Sequence, residues 1–266
     1  MPYSPLELAE AFIKTGELND ALDALNAHLE TNPNDDAARR LRAAVRLRTG
    51  DFAPALADIE ALSTPSADDY LQRSVILERM GELDHAIEAV QQARAVKSGD
   101  ERLAERLVGL LLQQKQFIEV QALIDEMPNT WRWRQWAGDA AVQSGEDESA
   151  VSYYSEALTL LAQHFDLSAD RNAAAIQARL LLARADAYSR LDRHDAAEAD
   201  YLAAAKIIPD EPMIPFKRGL LAAGRGDLET AVVLCRKAFS KANEVLRASM
   251  EQELQTSHYP ELADKM

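Results

Sequence analysis

The chain has 266 residues, with 29 basic and 44 acidic side chains and a formal net charge of −15. Such a balance repels phosphate backbones and anionic lipid, which disfavours general nucleic-acid or membrane-surface binding. Apolar residues make up 47% of the chain and aromatics only 6%, with ten Gly and ten Pro, a composition suited to helices rather than to turn-rich sheets.

The N-terminal residues M-P-Y-S-P-L-E-L-A-E lack the basic-then-apolar order of a secretory signal. No stretch approaches the ~18 uncharged apolar residues of a membrane span. A hexad then begins to recur. Gly16 opens G-E-L-N-D-A, Gly50 opens G-D-F-A-P-A, and Gly81 opens G-E-L-D-H-A. Lys115 opens the weaker K-Q-F-I-E-V, Gly145 opens G-E-D-E-S-A, Asp192 opens D-R-H-D-A-A, and Gly226 opens G-D-L-E-T-A. The steps between these markers are 34, 31, 34, 30, 47 and 34 residues.

Apolar residues fall at helical spacing on both sides of a marker: Leu103, Leu107, Leu110 and Leu111 before one, Leu83, Ala86, Ile87, Val90 and Ala93 after another. The spacing predicts a helix ending at each marker and a second starting just beyond it. The Gly suits the left-handed residue past a helix C-terminus. The acid behind it is expected in the first turn of the next helix, where the helix dipole favours negative charge. The Ala five residues on is a notch where two helices cross.

The 47-residue step predicts longer helices in one hairpin. V151-S-Y-Y-S-E-A-L-T-L-L-A-Q-H-F165 runs past the usual end, D166 to N172 forms the turn with Ser168 or Asp170 as N-cap, and Ala173–Leu191 makes a long helix. The tail segment N243 to L254 is amphipathic and reads as a cap over the last apolar face. Thr256–Met266 is expected to be frayed or weakly docked.

The pattern resembles the tetratricopeptide repeat, a 34-residue helix–turn–helix unit. The family places small residues seven before, five after and twelve after the marker. Here those positions hold Ser74, Ala86 and Ala93, then Gly138, Ala150 and Ala157, then Gly219, Ala231 and Ala238. A larger residue nine after the marker is met by Leu25, Ile59, Val90, Ile124, Tyr154 and Tyr201, with the smaller Cys235 in the last copy. Copy four lacks Gly and both flanking Ala, which predicts distortion there. The family's Trp is mostly absent, and Trp131, Trp133 and Trp136 stand slightly out of phase; core packing of Trp133 and Trp136 is preferred to a stacking platform with Arg132 and Arg134.

The resemblance implies an all-α, right-handed superhelical solenoid of about seven hairpins with a C-terminal capping helix. The repeats fall near 2–35, 36–66, 67–100, 101–130, 131–168, 169–211 and 212–243, the cap covers 244–266, and residues 1–266 make one solenoid. In that family the first helix of each pair lines a concave surface where ligands lie. The lining positions thirteen, ten, six and two before the marker place Arg40, Arg48, Arg79 and Arg102 there, with Gln72 and Arg106 beside them.

R39-R-L-R-A-A-V-R-L-R48 is the densest cationic stretch and reads either as a solvated face or as part of the groove. A subset of the family grips a peptide's free carboxylate. The cations of that pattern are met by Arg40, Arg102 and Arg106, Gln72 substitutes approximately for an Asn, and Ala44 replaces a required Asn.

The expected role is a cytoplasmic scaffold or adaptor that binds a partner protein or peptide, acidic or with a free C-terminus. The alternative is a structural component that homodimerises through the long hairpin or the tail, or a regulatory subunit of a separately encoded enzyme. No catalytic constellation, metal spacing or phosphate loop stands out, so no enzymatic activity, metal or cofactor is expected. The five His are scattered, and Cys235, the sole cysteine, sits at a packing position and excludes an internal disulfide.

Overall fold

One hydrogen bond is repeated at every marker. The N–H of the residue after the marker donates to the carbonyl four residues before the marker: Glu17 to Phe12, Asp51 to Arg46, Glu82 to Leu77, Gln116 to Leu111, Glu146 to Ala141, Arg193 to Tyr188 and Asp227 to Ala222, all at 2.8–2.9 Å. This bond closes a Schellman turn and requires the marker itself to be left-handed. Gly16, Gly50, Gly81, Gly145 and Gly226 adopt φ between 82° and 88°, and Lys115 (58°) and Asp192 (56°) adopt the same region without being glycine.

These turns are read from a computed structural model that describes residues 4–256 together with Tyr259, Leu262 and Lys265. Among the described residues there are fifteen helices and no strand. The chain divides into two units, residues 1–116 and 117–266. The first holds α1 (Pro5–Thr15), α2 (Leu18–Thr31), α3 (Asp36–Thr49), α4 (Phe52–Glu60), α5 (Ala67–Arg79), α6 (Leu83–Val96) and α7 (Glu101–Gln113). The second holds α8 (Phe117–Asp125), α9 (Trp131–Ser144), α10 (Asp147–His164), α11 (Arg171–Arg190), α12 (His194–Ile207), α13 (Met213–Gly224), α14 (Leu228–Lys241) and α15 (Glu244–Thr256). The dividing point falls within the expected fourth copy, whose positions seven before and five after the marker hold Val108 and Val120 in place of small residues.

First and second helices of a pair start differently. α1, α3, α5, α7 and α11 follow a Ser or Asp whose side chain accepts from a first-turn N–H. For α11 that residue is Asp170, bonded to the N–H groups of Asn172 and Ala173, and not Ser168. The marker acids Glu17, Asp51, Glu82, Glu146 and Asp227 stand at the N-cap, one residue earlier than expected. The tight turn leaves no room for a separate cap, and only Asp227 makes a side-chain capping bond, to the N–H of Thr230 at 3.0 Å. Their charge still faces the positive helix end.

Helices cross at the expected notches. Ala21, Ala55, Ala86, Ala150, Ala197 and Ala231 are all 0% exposed. Opposite them, the small residue seven before a marker faces the larger one nine after it. A Cβ on Gly138 would lie 2.5 Å from the Tyr154 ring, and one on Gly219 2.5 Å from Cys235 Sγ. Burying these interlocked faces supplies the main stabilisation, roughly 25 cal/mol per Å² of apolar surface.

The long hairpin is present as α10 and α11, of 18 and 20 residues. At the chain end, Met250 and Leu254 of α15 join Phe216, Ala231, Cys235 and Ala238 in one buried cluster, so α15 covers the apolar side of the α13–α14 pair. The expected loose segment Thr256–Met266 lies mostly outside the described residues. Within it Leu262 is buried in the same cluster, and the Lys265 carbonyl accepts a bond from Arg236 at 2.7 Å.

Candidate interaction surface

The first helices α3, α5 and α7 of the unit 1–116 share one solvent-open face. Its twelve lining positions are Ala37, Arg40, Ala44 and Arg48, then Asp68, Leu71, Val75 and Arg79, then Arg102, Glu105, Gly109 and Gln113, and none is buried. The residues between them, such as Ala43, Ile76 and Leu107, point into the core. Bonds running between first helices show that these positions form one surface. Arg40 of α3 holds Asp69 of α5 through two bonds of 2.8 and 2.9 Å. Arg106 and Gln113 of α7 both donate to Glu78 of α5, at 2.6 and 2.8 Å. The row six before the markers, Ala44, Val75 and Gly109, is a strip of small side chains across all three helices.

The expected arginines therefore divide into groups. Arg40 and Arg106 are committed to bridges between helices. Arg102 turns back on the N-cap of its own helix, bonding Asp100 at 2.8 and 3.1 Å. Arg48 and Arg79 lie exposed at the C-terminal ends of α3 and α5 and make no hydrogen bond or ion pair among the described residues, although the Arg79 charge adds to the field that favours ionised Glu78. Gln72 is half-buried beside Leu71.

The carboxylates record the same arrangement. Burial pushes Asp69 upward, but the Arg40 guanidinium and the Ser66 hydroxyl and N–H outweigh it and hold the carboxyl below its ordinary range. Glu78 is also driven up by burial, and Arg106 and Gln113 bring it below the usual value. The Arg102 and Lys97 cations hold Asp100 far down.

The dense Arg39–Arg48 stretch is mostly structural. Arg42 grips Asp58 of α4 with bonds of 2.6 and 2.9 Å, Arg46 adds one of 2.7 Å, and Arg39 stands 3.8 Å away. Asp58 is only 2% exposed. Sequence reasoning missed this bridge, although a signal exists: Arg42 and Asp58 stand eight before and eight after Gly50. The same phase around Asp192 holds Arg184 and Asp200, bonded at 2.7 and 2.9 Å. A second recurrent pair joins the position nine after a marker to the one six before it, with Tyr154 donating to Asp139 and Tyr201 to Asp186.

Other singled-out residues sit as follows. Trp133 is buried, at 1% exposure, while Trp136 is half-buried. Arg132 stacks over the half-buried Trp131 ring, 5.5 Å from its centroid. Cys235 is fully buried, and burial pushes its thiol up to about 11, far from a nucleophile's range. Among the described residues no group of three His, Cys, Asp or Glu is arranged to hold a metal, and no helix is long and apolar enough to cross a membrane.

Against known proteins, the tetratricopeptide repeat profile matches residues 6–69 and 178–211. No curated protein matches the chain. Among solved structures, a tetratricopeptide repeat protein from Parabacteroides merdae is similar at 16% identity and a TM-score of 0.62, over 98% of this chain and 96% of that one. The C-terminal part of a repeat-containing protein from Cytophaga hutchinsonii reaches a TM-score of 0.66 at 15% identity, over 90% of this chain and 97% of that one. Pseudomonas aeruginosa pilF is similar at 20% identity and a TM-score of 0.53, over 86% of this chain and 95% of that one. At such identities the likeness is one of fold. This fold serves in general as a scaffold for protein–protein interaction and is typically not enzymatic. With the repeated Schellman turn, the notch packing and a profile match in each unit, the chain carries tetratricopeptide repeats at residues 6–69 and 178–211 and is built like the tetratricopeptide repeat proteins it resembles.

Proposed function

We propose that the chain is a cytoplasmic interaction scaffold whose first-helix face on α3, α5 and α7 holds an extended or helical segment of a partner protein. The observation that supports this reading is the strip of the exposed Ala44 and the half-buried Val75 and Gly109, with the exposed cations Arg48 and Arg79 one turn beyond Ala44 and Val75. Small side chains let a bound backbone approach closely, and the two guanidinium groups suit a carboxylate on the incoming segment. Ala44 offers no amide to grip a peptide backbone, so charge and close contact carry the binding. Arg40, Arg102 and Arg106 contribute field more than direct bonds, because each already faces a carboxylate.

The test uses a fluorescein-labelled acidic pentapeptide with a free C-terminus, its amidated form and a neutral control. The double variant Arg48→Glu with Arg79→Glu should weaken binding of the acidic peptide about tenfold or more, while circular dichroism stays unchanged. Unchanged affinity would remove the assignment. Equal affinity for the amidated form would place the recognised charge on side chains rather than on the terminus. Arg40 is a poor choice for this test, since removing it strands the buried Asp69.

A further inference from the structure

We propose a second docking site, on the second-helix side of the unit 117–266, for a basic amphipathic segment of a partner protein. Between α8 and the α9–α10 hairpin lies an open cleft of about 410 Å³. Its lining includes three alanines, the exposed Ala122 and the buried Ala140 and Ala141, and the rings of Phe117 and Tyr153. Ile118 stands in its lining with 84% of its surface exposed. A lone exposed apolar residue needs no explanation. This one shares an open cleft with Phe117, Tyr153 and the three alanines, which is the pattern of a surface that receives an apolar side chain.

Charge selects the occupant. Among the described residues the cleft is lined by two carboxylates, Asp125 and Glu146, and by no Lys or Arg. Glu146 is exposed and makes no side-chain bond among the described residues, while Asp125 accepts from the Gln121 amide at 2.8 Å. An acidic segment would meet uncompensated repulsion here. A helix presenting one or two large aliphatic side chains, with Lys or Arg one turn away, satisfies both the apolar lining and the two carboxylates. The net charge of −15 draws such a segment in from a distance. The site shares no residue with the α3–α5–α7 face and takes partners of the opposite charge, so the two can fail independently.

The probe is a fluorescein-labelled synthetic helix of Leu and Lys, roughly three to four turns long with Leu at i, i+3, i+4 and i+7. Its comparators carry Glu for every Lys, or Ser for every Leu. Anisotropy is read at about 0.15 M salt, where loose surface attraction is largely screened. Ile118→Asp is the deciding variant: it adds a negative charge, so unspecific attraction predicts tighter binding and the cleft predicts weaker.

The expected results are an affinity loss of about tenfold or more for Ile118→Asp, a similar loss for Asp125→Lys with Glu146→Lys, and no binding of either comparator. Arg48→Glu with Arg79→Glu should leave this binding intact. Unchanged or tighter binding by Ile118→Asp, or equal binding of the Ser comparator, would overturn the proposal. So would a concentration-dependent mass in sedimentation that Ile118→Asp abolishes, which would assign the cleft to a second copy of the chain.

Discussion

Lys115 and Asp192 are held in a backbone region that L-residues with a Cβ resist. Both occupy the turn that glycine serves elsewhere, at φ 58° and 56°. The left-handed conformation costs an ordinary residue about 1–2 kcal/mol, and Asp bears it better than Lys because its short side chain bonds locally. Glycine removes that strain but gives back about 0.5–1 kcal/mol of chain entropy. Lys115→Gly should therefore stabilise the protein by about 0.5–1 kcal/mol, and Asp192→Gly by less. The rise in urea midpoint checks both, and a fall for Lys115→Gly would mean that its side chain contributes something beyond the turn. The conformation prevails over the residue because the Gln116→Leu111 and Arg193→Tyr188 hydrogen bonds cannot close otherwise.

At the scale of the helix pair, two buried ion pairs hold first helix to second. Asp58 answers Arg42 and Arg46, and Asp200 answers Arg184. Removing one partner of such a pair costs about 3–5 kcal/mol, because a desolvated charge remains, whereas replacing both by apolar residues is often neutral. Asp58→Ala should thus cost about 3–5 kcal/mol in chemical denaturation. Arg184→Met with Asp200→Leu should cost much less than Asp200→Ala alone. Equal losses for the double and single variants would mean that packing at Asp200, not charge, is what matters. These pairs also mark where sequence reading stopped. The turns, the notches at Ala55 or Ala86 and the long α10–α11 pair were legible because each is written within a few residues of a marker. The arginines of α3 were harder to read, since their partners lie 16 and 29 residues away: Asp58 is marked only by its mirrored phase with Arg42 about Gly50, and Asp69 comes into reach of Arg40 only through the fold. On the sequence alone, five arginines in ten residues look like a surface for something else; among the described residues Arg48 is the member of the run left without a bond. The cleft beside α8 was equally hidden, because nothing local says which alanines meet.

Over the whole molecule, acid should weaken the fold. Asp69 and Glu78 are held below their ordinary values by Arg40 and Arg106, so on acidification the unfolded chain binds protons first. Their stabilisation is complete above about pH 5, where both carboxyls are ionised in the unfolded chain too, and is lost as the pH falls through the depressed folded values. Asp139 has the opposite sign. Burial raises its carboxyl despite the bond from Tyr154, so its ionised form costs stability at neutral pH. Asp139→Asn should raise the urea midpoint at pH 7 and give no gain at pH 3, where the carboxyl is protonated in both states. A gain of the same size at both pH values would contradict this assignment. The marker turns carry one more consequence. Apart from the glycine and the residues on either side of it, no atom of the described residues lies within 4 Å of where a Cβ would stand at Gly16, Gly50, Gly81, Gly145 or Gly226, so packing does not forbid a side chain there. The constraint is handedness alone. A mirror-image alanine, introduced at Gly16 by chemical ligation, would sit at ease where its natural enantiomer is strained, and would stiffen a corner that belongs to neither docking surface.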